Sequence, residues 1–257
     1  MIFAYWHDTD HSPLRSFISH WQAYFPEFRV IGDYEVEPLI NKYFPEFLEK
    51  YRAISLPTCR ANLARMLMLY EVGGLYVDCH CGIVDPVRIQ ALLDSATEST
   101  FTLFDKDLAD GRPADQLWPL YSILVCRAGC PIVLDIAAAA IRNLSEHWRR
   151  EASSDFSPYN IWEMCGTGLV ADVILDRAAQ PARPRSYPGW QIRLLPETHA
   201  APIRRYMFYS YRRPGMHWSE RQDRERLYRR HSDVDPSQRH APHALTGGRL
   251  QAAPLLD

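Results

Sequence analysis

Residues 57–86 read PTCRANLARMLMLYEVGGLYVDCHCGIVDP, and this stretch frames the rest of the chain. Thr58 is the expected N-cap of a helix. Leu63, Met66, Leu67 and Tyr70 recur at i, i+3, i+4 and i+7, which gives that helix an apolar face. Gly73 and Gly74 end it, because glycine tolerates the left-handed backbone that commonly follows a helix. Leu75-Tyr76-Val77 favours a strand. Alternate residues of a strand share a face, so Asp78 and His80 are expected on one side and Cys79 and Cys81 on the other.

Lengths extend the argument. From Gly74 to Asp78 a strand covers roughly 13 Å, at about 3.3 Å per residue. From Gly73 back to Arg65 a helix covers roughly 12 Å, at about 1.5 Å per residue. A helix folded back beside the strand therefore brings Arg65 level with Asp78, with Asn62 one turn further on the same side. Asn62, Arg65, Asp78 and His80 are expected to converge. They would offer a carboxylate and an imidazole for a cation, an amide for hydroxyls and a guanidinium for an anion.

The 257 residues suffice for a full core. A net charge of -2 gives no reason to expect a nucleic-acid binder. No apolar run approaches the ~18 residues of a membrane span, and MIFAYWHD at the start lacks the basic and long apolar regions of a signal peptide. The six cysteines form no pair of Cys-x-x-Cys knuckles, so they read as reduced thiols of a cytoplasmic protein rather than a structural zinc site.

Around the central stretch, Ile2–Trp6 and Phe28–Ile31 read as strands, Pro13–Phe25 as a helix, and Pro38–Arg52 as a helix interrupted at Pro45. Further strands are expected at Ser99–Phe104, Tyr121–Cys126, Ile192–Leu195 and Tyr206–Tyr209, and helices after Pro86, over Ile132–Arg150 and within Trp162–Leu175. The alternation favours an α/β sheet flanked by helices, with ligands at the carboxyl ends of the strands. Between Arg204 and Arg230, nine arginines stand against three acids. That surplus suggests an anionic partner, such as peripheral contact with the inner face of a membrane. Residues 220–257 read as an Arg-rich extension, mobile beyond His231, behind a domain of residues 1–219.

The run Arg60-Ala61-Asn62-Leu63-Ala64-Arg65, then Tyr70-Glu71-Val72-Gly73-Gly74 and Tyr76-Val77-Asp78, resembles the signature of the DXD-type sugar transferases of glycosyltransferase family 32. Looser similarities are Trp6 at the end of the first strand, Gly129-Cys130-Pro131 before a helix, Gly166-Thr167-Gly168, and His217-Trp218-Ser219. The resemblance implies a GT-A-like, Rossmann-like sheet that binds a nucleotide-sugar, a UDP- or GDP-sugar donor, Mn²⁺ or Mg²⁺, and transfer with retention. It implies Asp78 and His80 as metal ligands, and Asp78, Arg65 and Asn62 as the catalytic set. Trp6, Asn62, Arg65, Tyr76, Asp78, His217 and Trp218 would contact the donor. The acceptor would be a glycan, a lipid-linked carrier or a protein.

Three departures stand out, one of them a C-terminal motif at His217-Trp218-Ser219 that lacks its final Gly-Ser-Trp. Asn62 occupies the place of an Asp, and His80 the place of the second Asp of the motif. An Asp-x-His metal motif does occur in the polypeptide N-acetylgalactosaminyltransferases. Two alternatives use the same residues: a non-catalytic binder of nucleotide-sugars, and a metal-dependent phosphoesterase. The second lacks the later Gly-Asp, Gly-Asn-His and Gly-His-x-His steps that such enzymes need.

Overall fold

The computed structural model describes residues 1–96, 99–105, 119–176, 183–196, 202–208, 215 and 217–230. Its strands are β1 (Ile2–Tyr5), β2 (Arg29–Ile31), β3 (Gly74–Val77), β4 (Gly82–Ile83), β5 (Thr100–Asp105), β6 (Pro119–Cys126), β7 (Leu175–Asp176), β8 (Arg183–Pro184), β9 (Gln191–Pro196) and β10 (Ile203–Arg204). Its helices are α1 (Arg15–Gln22), α2 (Asp33–Tyr43), α3 (Leu48–Ala53), α4 (Pro57–Val72), α5 (Pro86–Ser95), α6 (Pro131–Ala152), α7 (Ile161–Met164), α8 (Thr167–Ile174) and α9 (Trp218–Arg221).

The central sheet has the order β2-β1-β3-β6-β5-β9. β6 is antiparallel to both of its neighbours, and the other five strands run one way. The connections from β1 and β2 lead to opposite sides of β1, so the sheet has its switch point between β1 and β3. Open α/β sheets bind ligands at such a point, outside the carboxyl ends of the strands. Trp6 follows β1 there and Asp78 follows β3.

Strand alternation sorts the core into two layers. Phe3, Tyr5 and Tyr76 face one side with Leu63, Leu67, Ile136 and Val170. Ile2, Ala4, Leu75 and Val77 face the other with Phe17, Trp21 and Ile89. An α/β sheet flanked by helices is the architecture expected, and the antiparallel β6 makes it a mixed one.

Several local expectations need correction. α4 starts at Pro57 with Leu56 as N-cap, so Thr58 lies inside the first turn and does not cap it. Nor is α4 one-faced: Asn62 through Leu69 are all buried, because the helix lies over the sheet against both α2 and α6. The helix expected from Pro38 begins at Asp33, where Gly32 N donates to the Glu35 carboxylate at 2.7 Å, and it ends before Pro45. Tyr206–Phe208 is not a strand. The pairing lies earlier, where β10 joins β4, and Tyr209 lies outside the described residues.

Residues beyond the boundary expected at 219 also pack into the core. Leu227 and Tyr228 are buried, and residues 227–229 tie back to the start of the chain. Ser55 N donates to Leu227 O at 2.8 Å and Arg229 N to Ala53 O at 2.8 Å. Buried Glu151 accepts from Leu227 N at 2.8 Å and Tyr228 N at 3.1 Å. The tail from His231, expected to be mobile, lies outside the described residues.

Candidate active site

Gly73 ends α4 with φ 65° while its N–H still reaches Leu69 O at 3.0 Å. Gly74 follows at φ 104°, against Met1 O, where a Cβ has no room. The reversal lays α4 back along β3, and Arg65 meets Asp78 with Nη2 3.2 Å from Oδ1.

Arg65 is only 4% exposed, and protein groups occupy it. Nε donates to Ala61 O at 3.2 Å, and Nη1 donates to Tyr121 O. The guanidinium carbon lies 4.6 Å from the ring centroid of Tyr76 and 4.2 Å from that of Tyr121. Burial works against its charge, yet the Asp78 carboxylate and the surrounding rings win, and the net shift is upward. Tyr76, also buried, donates its hydroxyl to Asp78 Oδ1 at 2.6 Å. Tyr76, expected against the donor, sits under the carboxylate.

Asn62 is 4% exposed, and its amide donates to Cys165 Sγ at 3.5 Å. It too faces protein, where a hydroxyl of the donor had been expected. Cys165, between α7 and the Gly166 cap of α8, is held below the usual thiol range chiefly by a hydrogen bond with Cys59.

Asp78 does not continue the strand. Its N–H donates to Ser122 O at 2.9 Å, and its carbonyl accepts from Cys81 N at 2.9 Å, so residues 78–81 form a turn. Asp78 keeps the face of Tyr76, while Cys79 points to the other layer, its thiol 3.3 Å from Tyr5 O. The turn is pinned from behind by α1. Trp21 Nε1 donates to Cys81 O at 2.8 Å, and His20 Nε2 accepts from Ile83 N at 2.8 Å.

His80 lies at the turn with its imidazole stacked on Tyr206, centroids 4.9 Å apart and planes 13° apart. Burial pushes its pKa down and the Asp78 carboxylate only partly offsets this, so the ring favours the neutral form. Tyr206 has φ 64°, the one non-glycine residue in the left-handed region among those described. That conformation costs an L residue roughly 1–2 kcal/mol.

The other expected donor contacts have protein partners of their own. Trp6 donates from Nε1 to Asp10 O at 3.1 Å, and its ring rests against His7. His217 caps α9, with Nδ1 2.6 Å from Ser219 Oγ, and Trp218 packs on the α4-side core. Four of the nine arginines form ion pairs within the molecule: Arg221 and Arg224 pair with Glu225, Arg226 with Glu151 and Arg230 with Asp155.

A second polar knot was not visible in the sequence. Asp33, at the start of α2, accepts from Tyr5 at 2.5 Å and Tyr51 at 2.6 Å on Oδ1, and from Arg60 at 2.6 Å on Oδ2. It braces the carboxyl end of β1 next to the switch point. The concavity lined by Ser99, Thr100, Gly189, Trp190 and Gln191 lies at the amino ends of β5 and β9, opposite Asp78, and brings no titratable group.

Residues 16–99 match the family model described as a glycosyltransferase sugar-binding region containing a DXD motif. The matched third of the chain carries α1, α4, β3 and the Asp78–His80 turn. That stretch is similar to the sugar-binding region of DXD-type glycosyltransferases, with Asp-Cys-His where the motif is expected. No curated protein matches the chain. Among solved structures, one titled "PaToxG Glycosyltransferase" aligns with a TM-score of 0.38 and 10% identity, over 67% of this chain and 66% of that one.

A region of this class generally works with a nucleotide-sugar and a divalent cation, and the residues present fit a cation. Both described partners of Asp78 fall on Oδ1, which leaves Oδ2 for it. The neutral imidazole of His80 is a suitable second donor. Among the described residues no third His, Cys, Asp or Glu joins them. The other positions would go to oxygens of the donor or to water.

Proposed function

We propose that the protein transfers a sugar, with retention, from a UDP- or GDP-sugar to a glycan, lipid-linked or protein acceptor, and that Asp78 and His80 hold Mn²⁺ or Mg²⁺ at the donor diphosphate. The observation that carries this reading is the buried Arg65–Asp78–Tyr76 arrangement at the carboxyl end of β3, within the DXD region. A divalent cation there would supply positive charge to the departing diphosphate. Arg65 and Tyr76 hold the Asp78 carboxylate in one orientation, so its second oxygen is presented without reorganisation. Trp6, at the end of β1, would stack on the base at the switch point. His217 and Trp218 would reach the donor from the C-terminal side.

In this proposal Arg65 and Asn62 act from beneath, through Asp78 and the Cys165 turn, rather than by gripping the sugar. Their burial is also the observation that favours the second reading, a binder without turnover. One experiment separates the two. The protein is screened by thermal shift against UDP- and GDP-sugars with Mn²⁺, and each stabilising donor is then assayed for hydrolysis or transfer. Stabilisation with turnover that chelator abolishes supports the transferase. Stabilisation without turnover supports the binder, and no response to any donor counts against both.

A further inference from the structure

The segment from Pro202 to Phe208 crosses over the turn that carries His80, and both of its ends are pinned. At one end Ile203 and Arg204 pair with Ile83 and Gly82, and Val84 N donates to Pro202 O at 2.8 Å. At the other, Met207 N at 2.9 Å and Phe208 N at 3.3 Å both donate to the carbonyl of His80. Phe208 packs its ring against Phe17 and His20. The side chains of Met207 and Phe208 fill the space that a Cβ on Gly82 would need.

Tyr206 sits between the pins, in the left-handed region. Apolar burial does not hold it there, because the residue is 55% exposed. Its ring instead lies nearly parallel to the imidazole of His80, with the Arg205 guanidinium 5.2 Å from its centroid. A tyrosine stays in this backbone region only where its surroundings impose it, and such sites concentrate where a side chain must be aimed. An ordinary surface contact between two rings needs no such backbone.

We propose that Tyr206 is a positioning residue: its ring fixes the plane of His80 so that an imidazole nitrogen is presented beside Asp78, and the segment 202–208 is the clamp that holds the pair. The two uses of the imidazole are compatible, because stacking occupies a ring face while coordination uses an in-plane lone pair. The inference rests on the reading of Asp78 and His80 as the cation site.

The test is uptake of Mn²⁺, followed by the electron paramagnetic resonance of the free ion, in the presence of UDP and separately of GDP. Tyr206→Phe keeps the ring and should bind within about twofold of the native protein. Tyr206→Gly should melt no lower than the native protein, since glycine adopts this backbone freely, yet bind Mn²⁺ about three- to tenfold more weakly. His80→Ala should lose at least as much, and the double variant no more than His80→Ala alone, the mark of two residues acting through one contact. Native binding by Tyr206→Gly, or additive losses in the double variant, would overturn the proposal while leaving the cation site intact. If the native protein takes up no Mn²⁺ with either nucleotide, the cation site itself is wrong and the proposal falls with it.

Discussion

Arg65 and Asp78 meet at 3.2 Å across the gap between a helix and the strand that follows it, with the arginine buried and the aspartate partly open to solvent. The pair is therefore lopsided. The guanidinium is almost wholly shielded from water, and both described contacts of the carboxylate fall on one of its oxygens.

Removing the arginine should harm fold and function together. Arg65→Ala leaves Asp78 and the Tyr121 carbonyl without their cation, and we expect a loss of about 2–4 kcal/mol, discounted for the solvent that reaches Asp78. Transfer should fall at least a hundredfold. Arg65→Lys keeps the charge but not the fork and should lie between the two. Urea denaturation and turnover, measured on the same preparations, check both parts. Full activity in Arg65→Ala would show that Asp78 does not need this support.

Tyr76→Phe removes a single hydrogen bond from Asp78 Oδ1 and nothing from the surface. Stability should drop by about 1 kcal/mol. The rate of transfer should fall while the KM for donor changes little. A large rise in KM with an unchanged rate would instead place Tyr76 against the donor.

Gly74→Ala should be far more damaging than Gly129→Ala, although both glycines have positive φ. A Cβ on Gly74 collides with the backbone of Met1, whereas one on Gly129 meets nothing within 4 Å. We expect about 3 kcal/mol or more for the first and about 1 kcal/mol for the second, read from urea midpoints. Equal effects would mean that the collision relaxes.

Acid should loosen the C-terminal segment through Glu151. Burial alone would raise this carboxyl, but hydrogen bonds from His147, Leu227 and Tyr228 hold it below the usual range. Its folded pKa is thus below its unfolded value of about 4.3. The stabilisation is fully present above that value and is lost as pH falls through the folded pKa. The melting temperatures of the native protein and Glu151→Gln should differ most near neutrality and converge in acid. A constant gap at all pH values would rule out this linkage.

The helix, the Gly-Gly reversal and the strand after it were legible because each depends on neighbours in the sequence. Lengths alone brought Arg65 level with Asp78. Depth was not legible. Nothing in residues 57–72 says that α6 and α2 cover the helix, so Asn62 and Arg65 read as groups facing a ligand although they lie inside. Tyr121 and Cys165, their actual partners, are 56 and 103 residues away from them. Tyr206 carried no signal, because aromatic residues with positive φ have no sequence mark. The turn at Asp78–Cys81 had no mark beyond the end of the expected strand, because the bonds that pin it come from Ser122 and from Trp21 of α1.

The bonds from Leu227 and Arg229 to residues 53–55 bear on the order of synthesis. Those three residues lead straight into α4, so the helix that supports Asp78 is anchored by some of the last described residues to leave the ribosome. A growing chain can form β1, α4 and β3 early. It still lacks the clamp over His80 and the closing contacts on Glu151 until residues 202–229 have emerged. The site is thus completed late in translation, and a chain cut short before Leu227 would carry every residue of the Asp78 cluster without the segment that fastens its helix.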